Sequence, residues 1–175
     1  MKKIIIDSIM IIMCFVLQTT VLRYIAIAGI CPNLIVILPV LFGFLGDERE
    51  GIYTGFACGI VFDAFYADVL GVNAFIFMMF GYAAGLLGRM FTKSEMIVPV
   101  LLIICADFCY GIVNYAIYFL VHRRFDMGYY LNKIIMPELV YTVFMSIIIY
   151  RLLLIGHSDK KAVSKKERTI NKYVI

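Results

Sequence analysis

The sequence predicts an all-α integral membrane protein of six transmembrane helices with both termini on the cytoplasmic side. Three observations carry that expectation. Of the 175 residues, 63% are hydrophobic and only 16% charged, with a mean hydropathy of +0.96; soluble domains have about 45–50% apolar and about 25% charged residues. Apolar runs recur along the chain at lengths near the roughly 20 residues a helix needs to span hydrocarbon. Lys and Arg are unevenly shared between the links, and that imbalance sets orientation. A water-soluble fold of this composition would expose large apolar patches.

The first helix is expected over 4–22. Met1-Lys2-Lys3 followed by an apolar run mimics a signal peptide, but the run reaches Leu22, longer than the roughly 7–15 residues of a signal core. It reads as a retained helix. The second, 33–46, is short and contains Pro39. The third is 51–67. Between these two, Asp47-Glu48-Arg49-Glu50 cannot lie in hydrocarbon without partners and reads as a tight turn at one surface; a five-span layout is the alternative. The fourth, fifth and sixth are expected over 72–91, 96–121 and 137–155. The link 122–136, with Tyr129 and Tyr130, reads as an external loop or a short helix at the membrane boundary, where tyrosine is favoured. Residues 1–156 form the membrane domain, and 157–175 a basic cytoplasmic tail expected to be mobile. With six spans the side holding both termini carries twelve Lys and Arg and the other side four, which places the termini in the cytoplasm. Half of the twelve lie in the tail, where each adds about 1 kcal/mol of attraction to anionic lipid if held near the surface.

Five cysteines, Cys14, Cys31, Cys58, Cys105 and Cys109, show no CxxC or His-rich spacing, so no metal site or cofactor is expected. They read as small buried hydrophobes. His122 and His157 fall on opposite surfaces and cannot share a site. There is no HExxH and no Walker loop, and no Ser/His/Asp set. An enzyme is not expected, nor is nucleic-acid binding.

Polar residues inside the spans are the candidate functional groups, because a carboxylate at membrane depth is costly and normally faces protein or water. On the third helix Gly51, Gly55, Gly59 and Asp63 share one face, and glycines at that spacing let another helix come close. On the fifth, Asp107, Tyr110, Gly111, Asn114 and Tyr118 form a second stripe. Glu138 opens the sixth helix, with Tyr141, Thr142 and Met145 beyond it. Three readings stand side by side. The carboxylates line a proton or cation path; or each bonds a neighbouring group and fixes helix register; or Gln18, Asp63, Asn73 and Glu138 converge on a small-ligand pocket at the outer side.

One pattern is more specific than any of its parts. Gly51-x3-Gly55-Phe56-x2-Gly59-x3-Asp63, then Leu70-Gly71-x-Asn73-Ala74-Phe75, then Gly81-Tyr82-x2-Gly85 resembles the rod shape-determining protein MreD family. Leu17-Gln18-Thr19-Thr20-x-Leu22 and Pro32-Asn33-Leu34 match that family's pattern upstream, so the resemblance covers roughly residues 1–155. Each element also has a physical reading. Gln18 and the threonines, Thr19 among them, can bond across helices. Pro32 suits a first helical turn. Gly71 can turn the chain sharply, Asn73 can cap the fourth helix, and Gly81, Gly85 and Gly88 offer a close-contact surface.

The resemblance implies a non-catalytic component of the bacterial cell-elongation machinery in the cytoplasmic membrane. Its partners would be MreC, MreB, and RodA with its class B penicillin-binding protein. It also implies a bundle similar to the S components of energy-coupling-factor transporters. Asp107, Asn114 and Glu138 match no family motif and have no assigned role. The mechanism expected is lateral docking, with a lipid-facing groove of small residues receiving the MreC span. A vitamin-capturing S component is the alternative, although residues 4–22 lack the Ala-x-x-x-Ala pattern by which many such proteins dock. A proton-coupled transporter is the third reading.

Overall fold

The computed structural model describes the backbone of residues 2–24, 30–67, 69–91, 96–122 and 127–173, and the side chains of 7–22, 24, 30–67, 69–91, 96–117, 128 and 130–154. The architecture is all-α, built on six principal helices: α1 (Lys2–Val16), α2 (Leu34–Leu45), α3 (Glu48–Tyr66), α4 (Val72–Gly88), α5 (Ile97–His122) and α6 (Met136–Tyr173). α1 continues through a π-helical turn, Leu17–Val21, into Leu22–Tyr24. A short helix, Met127–Tyr130, and a second π-helical turn, Leu131–Ile135, lead into α6, so most of the expected boundary link is helical.

α2 is the centre of the bundle. All of its residues are buried, Pro39 included, and it touches each of the other principal helices. A helix that is apolar on every side has no face to offer water and packs inside. At about 1.5 Å per residue its 12 residues rise only about 18 Å. Two stretches, Ile97–Ile117 in α5 and Leu131–Leu154 running into α6, are long and apolar enough to cross a membrane. Asp7–Val21, Leu34–Leu45 and Val72–Gly88 are shorter apolar helices.

α3 and α4 form a hairpin laid against α2, and glycine sets the spacing. A Cβ on Gly51 would overlap the Gly81 carbonyl, one on Gly55 the Phe77 carbonyl, and one on Gly59 the Ala74 backbone. Gly85 lies against the Glu48 backbone and Gly88 against that of Phe44. The backbones therefore touch directly, which maximises dispersion contact. Gly43 of α2, which the sequence reading missed, closes on Gly81 in the same way.

Element ends depart from expectation for local reasons. α3 begins at Glu48, so the acidic cluster forms a first helical turn rather than a loop, with Glu48 and Glu50 where the helix dipole favours them. Glu48 also pairs with Arg89 beyond the far end of α4. The tail expected to be mobile is helical as far as Tyr173, continuous with α6. Cys14 and Cys58 are buried as expected, whereas Cys105 and Cys109 lie exposed on α5.

The α3–α4 link turns at Gly71, whose φ of 102° lies in the left-handed region. A Cβ there would meet nothing within 4 Å, so substitution costs backbone strain alone. Gly71→Ala is expected to lower unfolding stability in detergent by about 1–2 kcal/mol, measured as a lower thermal midpoint without loss of the folded species.

Candidate functional site

The polar residues singled out along the chain gather at one end of the bundle, where α1, α3 and α5 finish and α2, α4 and α6 begin. The start of α4 shows how the sequence builds this end. The first turn of any helix leaves backbone N–H groups without internal partners. Here Asp63, from the last turn of α3, supplies them. Its Oδ2 accepts the N–H groups of Gly71 at 2.8 Å and Ala74 at 3.2 Å, and its Oδ1 accepts the N–H of Asn73 at 3.3 Å. The Asn73 side-chain amide donates to Oδ1 as well, at 2.7 Å. Asp63 is 1% exposed. It does from another helix what an N-cap side chain does locally. Asn73 is therefore not the cap: it is a second donor to the residue that is, and α4 has no side-chain cap bond of its own.

α2 is treated alike. Gln18 Oε1, reaching from the π-helical turn after α1, accepts the Ile35 N–H at 3.1 Å. Thr142 Oγ1 of α6 accepts the Asn33 N–H at 3.1 Å and donates to the Glu138 carbonyl at 2.8 Å. Pro32 lies before the helix rather than in its first turn, and its carbonyl accepts the Leu34 N–H at 3.2 Å. Gln18 bonds across helices as expected, but Thr19 does not. Its hydroxyl donates within its own helix, to the carbonyls of Phe15 at 2.9 Å and Val16 at 3.2 Å, and Thr20 likewise turns back to Val16. Those hydroxyls occupy carbonyls near the start of the π-helical turn.

Between these capped ends opens a cavity of about 720 Å³. Gln18, Asn33, Asn73, Tyr110, Asn114 and Glu138 give it polar walls, and Phe62, Tyr66, Val69, Val72 and Ile117 apolar ones. Of the four residues expected to converge on a pocket, Gln18, Asn73 and Glu138 line it, while Asp63 sits behind Asn73. Phe62 and Tyr66 stack with ring centroids 5.2 Å apart, and Phe77 packs on Tyr110 at 5.2 Å. Tyr110 stands within electrostatic reach of Asp63, Asp107 and Glu138. Sequence spacing found Tyr110 and Asn114, but it gave no reason to pick Phe62 or Tyr66 out of a chain with 14 Phe and 12 Tyr.

The three carboxylates differ sharply. Asp63 is fully bonded. Asp107 is 4% exposed, yet both its oxygens are buried without a hydrogen bond. The side chains of Asn33 and Thr142 lie within polar reach of it, although the one proton of the Thr142 hydroxyl goes to the Glu138 backbone carbonyl. Glu138, half-buried at the cavity wall, is close enough to Asp107 for the two to repel. Among the described residues neither has an ion-pair partner, and no group of three or more His, Cys, Asp or Glu side chains is placed to hold a metal.

The glycines of α3 do not form a lipid-facing groove. Gly51, Gly55 and Gly59 are buried against α4, and so are Gly81 and Gly85, whereas Tyr82 faces outward, 40% exposed. Close packing consumes every small residue on that face, which leaves none for a partner helix. The outer side of the hairpin instead presents a groove of about 420 Å³ lined by Phe56, Ile60, Leu70, Gly71, Ala74, Phe75 and Met78.

A family model described as MreD, rod shape-determining protein MreD, matches residues 1–155. No curated protein and no solved structure matches the chain.

Proposed function

The chain belongs to the rod shape-determining protein MreD family, a family of membrane-associated shape proteins, and from that premise we propose that it acts as a non-catalytic, multi-pass scaffold of cell elongation in the bacterial cytoplasmic membrane. The family match over residues 1–155 is the observation that carries this reading. The surface supports a lipid setting. Ile9, Ile12, Met13, Phe56, Phe75, Met79, Leu101, Phe144 and Leu152 are among many large apolar side chains that face outward, an exterior suited to hydrocarbon and not to water. In this reading six helices cross, α2 remaining sheathed by the others. Both termini lie in the cytoplasm, as the excess of Lys and Arg on that side favours.

Its direct partner is MreC, engaged through that protein's single span, with MreB, RodA and the class B penicillin-binding protein in the same assembly. We assign the contact to the apolar groove of the α3–α4 hairpin, on the side away from the glycine seam. Helix association in lipid depends on shape, because lipid tails are as apolar as leucine. Pull-down of the tagged protein from native membranes, with partners identified by mass, is expected to recover MreC. Met78→Trp, which fills the groove, should cut that recovery several-fold, while Leu101→Trp on α5 should not. Recovery of a transporter ATPase in place of MreC would overturn the scaffold reading.

A further inference from the structure

We infer that the cavity at the α2, α4 and α6 N-terminal end binds a small organic cation, a protonated amine carried on a compact apolar or aromatic body. The size fits: about 720 Å³ falls within the roughly 300–1,000 Å³ of small-molecule sites. The chemistry of the walls selects the charge. Glu138 and Asn33 line the cavity, and the buried Asp107 carboxyl lies within polar reach of the Asn33 side chain. Two carboxyl groups close together in a low-dielectric site are costly to ionise. A cation in the cavity would relieve both, Glu138 by direct contact and Asp107 at longer range.

The remaining walls suit the same ligand. Asn33, Asn73 and Asn114 bring amide groups to the wall whose oxygens can accept N–H donors. The stacked Phe62 and Tyr66 rings present faces that attract a cation and bury an apolar body. The helix N-termini at this end would ordinarily favour an anion. Here the N–H groups of Gly71, Asn73 and Ala74 are already taken by Asp63, and those of Asn33 and Ile35 by Thr142 and Gln18. What remains exposed to the cavity is carboxylate, amide and ring.

This inference goes beyond the scaffold role and is measured with no partner present, so its failure leaves that role standing. The purified protein in nanodiscs near neutral pH is titrated with three probes sharing one aromatic body: tyramine, the uncharged 4-ethylphenol and the anionic 4-hydroxyphenylacetate. Calorimetry and thermal midpoint are both read. Tyramine is expected to bind and raise the midpoint, with the neutral and anionic probes at least about tenfold weaker. Glu138→Gln, at a half-buried position that tolerates the change, should weaken tyramine at least about tenfold while the protein remains monodisperse. Phe62→Leu should weaken it less. Equal binding of all three probes, preference for the anion, a response to sodium ion alone, binding unchanged in Glu138→Gln, or no binding of any probe would each overturn the inference.

Discussion

Replacing Asp63 with Ala should cost at least about 3 kcal/mol of stability. The carboxylate is nearly inaccessible and accepts three backbone N–H groups and the Asn73 amide. Removing it orphans those donors together, and each buried donor left unmade costs about 1–3 kcal/mol. The favourable placement of a negative charge at the α4 N-terminus is lost as well. Asp63→Asn keeps one acceptor oxygen but turns an amide N–H₂ toward donors, so it should fall between wild type and Ala. Thermal unfolding in detergent gives the order, with size exclusion reporting the folded fraction. Wild-type stability in Asp63→Ala would mean that the α4 N-terminus does not depend on this capping.

The second large effect is steric. Gly59→Ala is expected to reduce the yield of folded protein markedly, and Gly59→Leu to abolish it. Overpacking a core usually costs about 1–3 kcal/mol when side chains can adjust. Here the atoms in the way are Ala74 N and Cα and Asn73 C, all backbone. For that reason Ala74→Gly should not rescue Gly59→Ala. Rescue would show that side-chain bulk, and not helix separation, is limiting. Gly55→Leu should behave in the same way against the Phe77 backbone. In both variants the loss should appear in the isolated protein, before any partner is added.

The helices and their order were legible in the sequence because apolar runs and Gly, Pro and charge punctuation are local signals. The glycine seam was legible as spacing, but spacing alone does not say which helix fills it. An i+4 glycine ridge looks the same whether it receives a neighbour in the same chain or one from elsewhere, and in this fold α4 takes it. Capping was hidden for a related reason. Asn73 occupies a position from which a local cap is plausible, yet Asp63 reaches the same N–H groups from the preceding helix. Thr142 bonds Asn33 across 109 residues, and nothing local announces that contact. The convergence of Gln18, Asn73 and Glu138 was foreseeable because antiparallel helices bring alternate ends together. The unmet hydrogen bonds of Asp107 were not, since they depend on where the Thr142 proton goes.

The short central helix has a geometric consequence. A bilayer interior is about 30 Å thick, and the 12 residues of α2 rise only about 18 Å. In the six-span reading proposed above, α2 falls short of the hydrocarbon thickness by on the order of 12 Å. The cavity opens where α2 starts, walled by Asn33 and by residues of the longer α3, α4, α5 and α6.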